Sequence, residues 1–79
     1  MPILTHYCLV RVIQLLHPLE EYDGWNVGRR PPQIGDIGTV VDILQEEGLP
    51  NKYVVEASDG DGITIWLADF DAEELELVE

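Results

Sequence analysis

GDIGTVVDIL, Gly35 to Leu44, opens on two glycines flanking an Asp and an Ile, then runs into β-branched residues. Gly35-Asp36 suits a turn, and Gly38 suits a bulge or a close backbone approach. Thr39, Val40, Val41 and Ile43 are good strand formers, so the stretch predicts a strand leaving a turn. Upstream, YCLVRVIQLL (Tyr7–Leu16) is aliphatic and β-branched, with Arg11 and Gln14 as its polar breaks. Pro18 stops it, which predicts another strand. The connection between the two, His17–Ile34, holds three prolines, two glycines and an Asp-Gly pair without a clear period. That composition predicts a long irregular loop, a kind of segment that in a compact domain tends to be functional or mobile.

Downstream the strands come closer together. QEEGLPN (Gln45–Asn51) reads as a turn, KYVVEAS (Lys52–Ser58) as a third strand, and Asp59-Gly60-Asp61-Gly62 as a hairpin turn. A fourth strand follows over Ile63–Ala68, with Ile63, Ile65 and Leu67 expected to face inward and Trp66 outward. Asp71-Ala72-Glu73-Glu74 reads as one helical turn that Asp71 can cap. Leu75–Val78 closes the chain as a short strand, Leu75 and Leu77 inward, Glu74, Glu76 and Val78 outward. Five short strands, one long first loop and one helical turn before the last strand predict a single all-β domain over residues 1–79. The architecture expected is a small five-stranded SH3-like barrel, in which closure removes strand edges that so short a chain cannot cover with helices.

Charge limits what such a domain can touch. Sixteen Asp and Glu stand against Arg11, Arg29, Arg30 and Lys52, a net charge of −12. Nucleic acids and anionic lipid heads are held by Lys and Arg, so neither is an expected partner; a basic protein is. The one cysteine, Cys8, cannot form an internal disulfide and reads as a small buried hydrophobe. MPILTHYC has no basic n-region and no long apolar run, so neither a signal peptide nor a membrane span is expected, and the cytoplasm is the expected location.

The motifs that could carry chemistry resolve into structural ones. Placing Gly62 at the sixth position of a calcium loop puts Ala57 first and Ala68 twelfth, and neither can bind a metal. His6 and His17 flank the first strand without ligand spacing, and no nucleophile–base set is legible. No cofactor, no metal and no catalytic residue is therefore expected. EYDGWNVGRRPP is the segment composed for contact, because Tyr, Trp and Arg are the types enriched at binding hot spots. Tyr22, Trp25, Arg29, Arg30 and the outward Trp66 are accordingly the candidate partner-binding residues. The competing reading folds Tyr22 and Trp25 back over one barrel end, pairs the arginines with nearby carboxylates and lays Trp66 under the loop. The dense acidic end (Asp69, Asp71, Glu73, Glu74, Glu76, Glu79) offers either solubility or a docking face for a basic partner.

Gly35, Asp36, Gly38, Thr39, Val40 and Val41, then Tyr53, Val55 and Glu56, then Asp61-Gly62, and finally Glu73-Glu74-Leu75 follow one another over nearly the whole chain. In this order they resemble a bacterial family of small SH3-like barrel proteins with a Gly-Asp-x-Gly-Thr-Val-Val motif, a domain of unknown function. The resemblance implies an SH3-like barrel without an established activity, and some members look like partners of toxin-like proteins. This chain departs from the pattern in its longer first loop, Glu20–Gln33. Barrels of translation and transcription share the Gly-x-x-Gly-x-Val turn, but their basic RNA-contacting loops have no counterpart here. The expected function is a non-catalytic protein-binding module whose acidic surface and Tyr22–Arg30 loop contact a basic partner, as an antitoxin or immunity protein would. The alternative is a structural subunit of a larger multiprotein complex.

Overall fold

Residues 4–23 and 28–78 are described by the computed structural model, and Trp25 lies outside them. Five strands form: β1 (Leu9–Val12), β2 (Ile37–Leu44), β3 (Lys52–Ser58), β4 (Thr64–Asp71) and β5 (Leu75–Val78). Two short 3-10 turns accompany them, Leu19–Asp23 in the long loop and Ala72–Glu74 before β5. All pairings are antiparallel, in one sheet ordered β4-β3-β2-β1-β5. The result is an all-β, small barrel-like fold with the layout the strand spacing predicts. Among the described residues no helix is long and apolar enough to cross a membrane.

β2 joins the two halves of the sheet. Its first residues pair with β1 (Leu9 opposite Thr39, Arg11 opposite Ile37), and Thr39–Leu44 pair with β3. Two features bend it. Gly38 packs so closely on β3 that a Cβ there would sit 2.6 Å from Val55 Cγ1 and 2.8 Å from the Glu56 carbonyl oxygen. A bulge between Val40 and Asp42 then shifts the register by one residue. Gly38 is thus required by close approach rather than by its own dihedral angles, whereas Gly35, at φ 97°, is required by its backbone conformation.

Inside the curl lie Val10 and Val12 from β1, Val40 from β2, Val55 and Ala57 from β3, with Trp66, Ala68 and Phe70 from β4. β4 faces opposite to expectation: Trp66, Ala68 and Phe70 point in, while Ile63 is exposed and Ile65 and Leu67 are half-buried. The register explains the reversal. Trp66 stands opposite Ala57 and Ala68 opposite Val55, so small residues make room for the indole, which meets Phe70 edge-on at 5.5 Å. β4 also extends three residues beyond the expected Ala68, which brings Phe70 into the buried set. Two large aromatics bury more area than Ile65 and Leu67 can, so this face wins.

β1 is shorter than expected at both ends, Leu9–Val12 instead of Tyr7–Leu16. Beyond Val12 the chain turns to Glu74: Ile13 N–H donates to the Glu74 carbonyl and Leu16 N–H to the Glu74 side chain. Glu74, expected outward, is completely buried. The described residues of the long loop are anchored to the sheet. Arg29 and Arg30 N–H both donate to the Ile65 carbonyl of β4, and Gly28 packs against the same strand, so the loop covers part of that outer strand.

Candidate partner-binding site

Two carboxylates organise the loop side of the molecule. Asp36, from the opening motif, accepts two hydrogen bonds from Arg30 (2.8 and 3.2 Å), one from Gln33 N–H and one from the Trp66 indole N–H at 2.8 Å. Burial acts to raise its pKa, but these bonds and the Arg30 charge outweigh it and hold the carboxyl below its usual value. The same contact raises the pKa of Arg30. Asp36 therefore ties the loop to the core aromatic cluster.

Glu74 plays the matching part at the other end. Its carboxylate accepts from Asp71 N–H, the return half of a capping box, and from Leu16 N–H and the Tyr22 hydroxyl. Tyr22 packs on Phe70 at 5.4 Å, and its pKa is pushed up to about 12, first by burial and then by the bond to Glu74. Beside it Asp71 takes Lys52 Nζ on one oxygen (2.6 Å) and His17 Nε2 on the other (2.9 Å). Those bonds, Lys52 first, lower the Asp71 pKa, and the Asp71 bond raises that of Lys52. His17, Asp71 and Glu74 bring potential ligand atoms within 4.8 Å of one another. A cation there would have to displace the Lys52 ammonium and the donors of Glu74, so the cluster is an internal latch.

The outward candidates are redistributed accordingly. Tyr22 and Trp66, expected at a contact surface, are core residues, 2% and 1% exposed. Arg29 and Arg30 stay at the surface, beside a hollow also lined by Leu19, Glu20 and Pro31. Both are engaged within the chain: Arg29 bonds Asp59 at 2.8 Å, and Arg30 bonds Asp36. Asp59 in turn accepts from Ile63 and Asp61 N–H, and these bonds, ahead of Arg29, depress its pKa. That is the Asp-Gly hairpin turn expected of Asp59–Gly62. With Arg11 on Glu76 and Lys52 on Asp71, every one of the chain's 4 cations meets one of its own carboxylates.

What remains outward is acidic. Across β2, β3 and β4 the ladder places Asp42, Val54 and Asp69 in one row, Leu44, Lys52 and Asp71 in the next, and Thr39, Glu56 and Leu67 on the other side. Four carboxylates thus share the outer face of these three strands with the single cation Lys52. Val54 is buried at their centre, and Glu56 accepts a hydrogen bond from Thr64. Along one border runs a groove of about 450 Å³, with Leu44, Leu49 and Pro50 as apolar walls and Glu46, Lys52 and Asp71 as polar rim. An apolar groove beside a face on which carboxylates outnumber cations can hold a segment that carries both aliphatic and basic side chains. Composition pointed to the acid, but only the three-strand register, bulge included, locates this face.

The chain belongs to the family described as domain of unknown function DUF4926, whose model matches residues 9–77. No curated protein and no solved structure matches it.

Proposed function

We propose that this member of a domain-of-unknown-function family is a non-catalytic protein-binding module, and that its acidic sheet face and adjoining groove dock a basic protein. One observation carries the reading: Asp42, Glu56, Asp69 and Asp71 share one sheet face with Lys52, while all four cations of the chain are engaged by its own carboxylates. An excess of −12 on so small a body attracts a basic partner at long range. The groove walls Leu44, Leu49 and Pro50 supply the apolar contact that makes the encounter last. Neutralising a basic toxin, as an antitoxin or immunity protein does, is one role with this chemistry.

The test is capture from a lysate of the source organism with wild type, Asp42→Lys/Asp69→Lys and Arg29→Ala/Arg30→Ala as baits. Wild type should retain a protein of basic pI that elutes between about 150 and 500 mM salt, and the double-lysine variant should lose it. An unchanged set of retained proteins on the double-lysine bait, or an acidic principal partner, overturns the reading. Loss on the arginine bait alone would return the contact to the loop.

A further inference from the structure

Tyr7 is held in a backbone conformation that its side chain disfavours. The chain turns over Thr5–Cys8, closed by Cys8 N–H on the Thr5 carbonyl at 3.3 Å, and Tyr7 stands third in that turn with φ at +68°. Glycine or asparagine usually takes such a position, because a Cβ there crowds the backbone. Among the described residues Tyr7 is the only one besides glycines with a positive φ. Burial does not offset the strain, since Tyr7 is 75% exposed. Its N–H donates to the Val40 carbonyl at 2.6 Å, a bond that any non-proline residue makes, so the fold has no use for a ring here.

The ring does have neighbours. The His6 imidazole lies 6.1 Å from it between centroids, with the planes 50° apart, and His6 Nε2 lies 3.6 Å from Asp42 Oδ1. Ile43 N–H also donates to Oδ1, so among the described residues Asp42 Oδ2 has no partner. Asp42 is the β2 member of the acidic sheet face. Two inclined, exposed rings thus adjoin a carboxylate with one oxygen open.

We propose that this corner seats an arginine side chain of the basic partner, the guanidinium lying on the Tyr7 ring and donating to Asp42 Oδ2. The proposal rests on the acidic-face reading and adds to it the side chain that the face selects. Charge complementarity chooses the occupant. The faces of aromatic rings attract cations, and the carboxylate adds its own charge. An anion is repelled by a chain of −12, and an aliphatic side chain would leave Asp42 Oδ2 unused. Guanidinium fits better than ammonium, because its plane stacks on a ring while its edge donates to a carboxylate.

Titration of the full chain with hexa-arginine at about 150 mM salt, read by calorimetry and by the tyrosine ring resonances, tests this. The Tyr7 resonances should shift and those of buried Tyr22 should not. Tyr7→Asn should weaken binding by about two- to fivefold, the effect of one exposed cation–π contact, and its net charge is unchanged. Asp42→Asn should cost less affinity in the Tyr7→Asn background than alone, because both groups hold one guanidinium. The urea midpoint of Tyr7→Asn should stay or rise, since asparagine tolerates positive φ. A midpoint clearly lowered would mean that the ring serves the fold, and overturns the proposal. Hexa-lysine that shifts Tyr7 as far as hexa-arginine overturns the choice of guanidinium. Binding that Glu46→Gln weakens and Tyr7→Asn does not overturns this seat and leaves the acidic-face reading standing, with the groove as its centre. A peptide that does not bind also overturns the seat, whereas that reading is decided by its own capture experiment.

Discussion

Asp36 and Glu74 are both acidic residues at which the long loop meets the sheet, and they are stabilised in different ways. Asp36 keeps some contact with solvent and faces a guanidinium, the usual solution for a half-buried charge. Glu74 is wholly buried, and its carboxylate takes three neutral donors: two backbone N–H groups and a phenol. The first arrangement is an ion pair that also holds Trp66. The second is a hydrogen-bonded knot joining the segment after β1, the loop and the turn before β5. When a side chain is removed, the groups left behind differ accordingly. Arg30 can turn to water, whereas the Tyr22 hydroxyl that donates to Glu74 belongs to a buried side chain.

The largest expected effect follows from that contrast. Glu74→Ala should cost about 3–5 kcal/mol in urea unfolding, since it strands Leu16 N–H, Asp71 N–H and the Tyr22 hydroxyl and leaves a cavity. Asp36→Ala should cost less, about 1.5–3 kcal/mol, chiefly by leaving the Trp66 indole N–H without its acceptor. A larger loss at Asp36 than at Glu74 would break the comparison. Should Glu74→Ala not fold at all, Tyr22→Phe keeps the knot testable at about 1–2 kcal/mol.

The sequence makes one of these two sites more legible than the other. Asp71-x-x-Glu74 before a short strand is a capping pattern, and it was open to the inference that Glu74 turns back on its own backbone. Local pattern does not indicate that Tyr22, 52 residues away, completes the knot, and a row of acids reads first as a solvated face. Asp36 reads as a turn residue, and nothing near it reveals an indole 30 residues downstream. The same limit explains β4. Ile63, Ile65, Leu67 and Trp66, Ala68, Phe70 are both apolar sets of period two, so alternation cannot choose between them. Space opposite Ala57 and an acceptor at Asp36 make the choice, and both are long-range. The bounds of β3 and the turn at Asp59–Gly62 were legible because Gly48, Pro50 and the Asp-Gly signals flank them, and the start of β5 because the capped turn Asp71–Glu74 precedes it.

The smallest effect separates the two sites by pH. At the acid end, Asp36 and Asp71 have folded pKa values below the ordinary 3.8. Their stabilisation is therefore complete above that value and is lost as the pH falls through the lower, folded ones. Tyr22 has the opposite sign. Its folded pKa of about 12 lies above the unfolded 10.0, so its contribution is complete below pH 10 and is lost as the pH climbs toward 12. At pH 11 the unfolded phenol is mostly ionised and the folded one is not, which removes about 1 kcal/mol. Urea titrations of wild type and Tyr22→Phe at pH 7 and pH 11 isolate this term, because every other tyrosine cancels in the difference. The gap between the two proteins should narrow by about 1 kcal/mol at the higher pH, while their acid limbs stay parallel. A gap that does not change with pH would mean that the phenol does not remain neutral against Glu74 through this range, and the distinction between the ion pair and the neutral knot would then be lost.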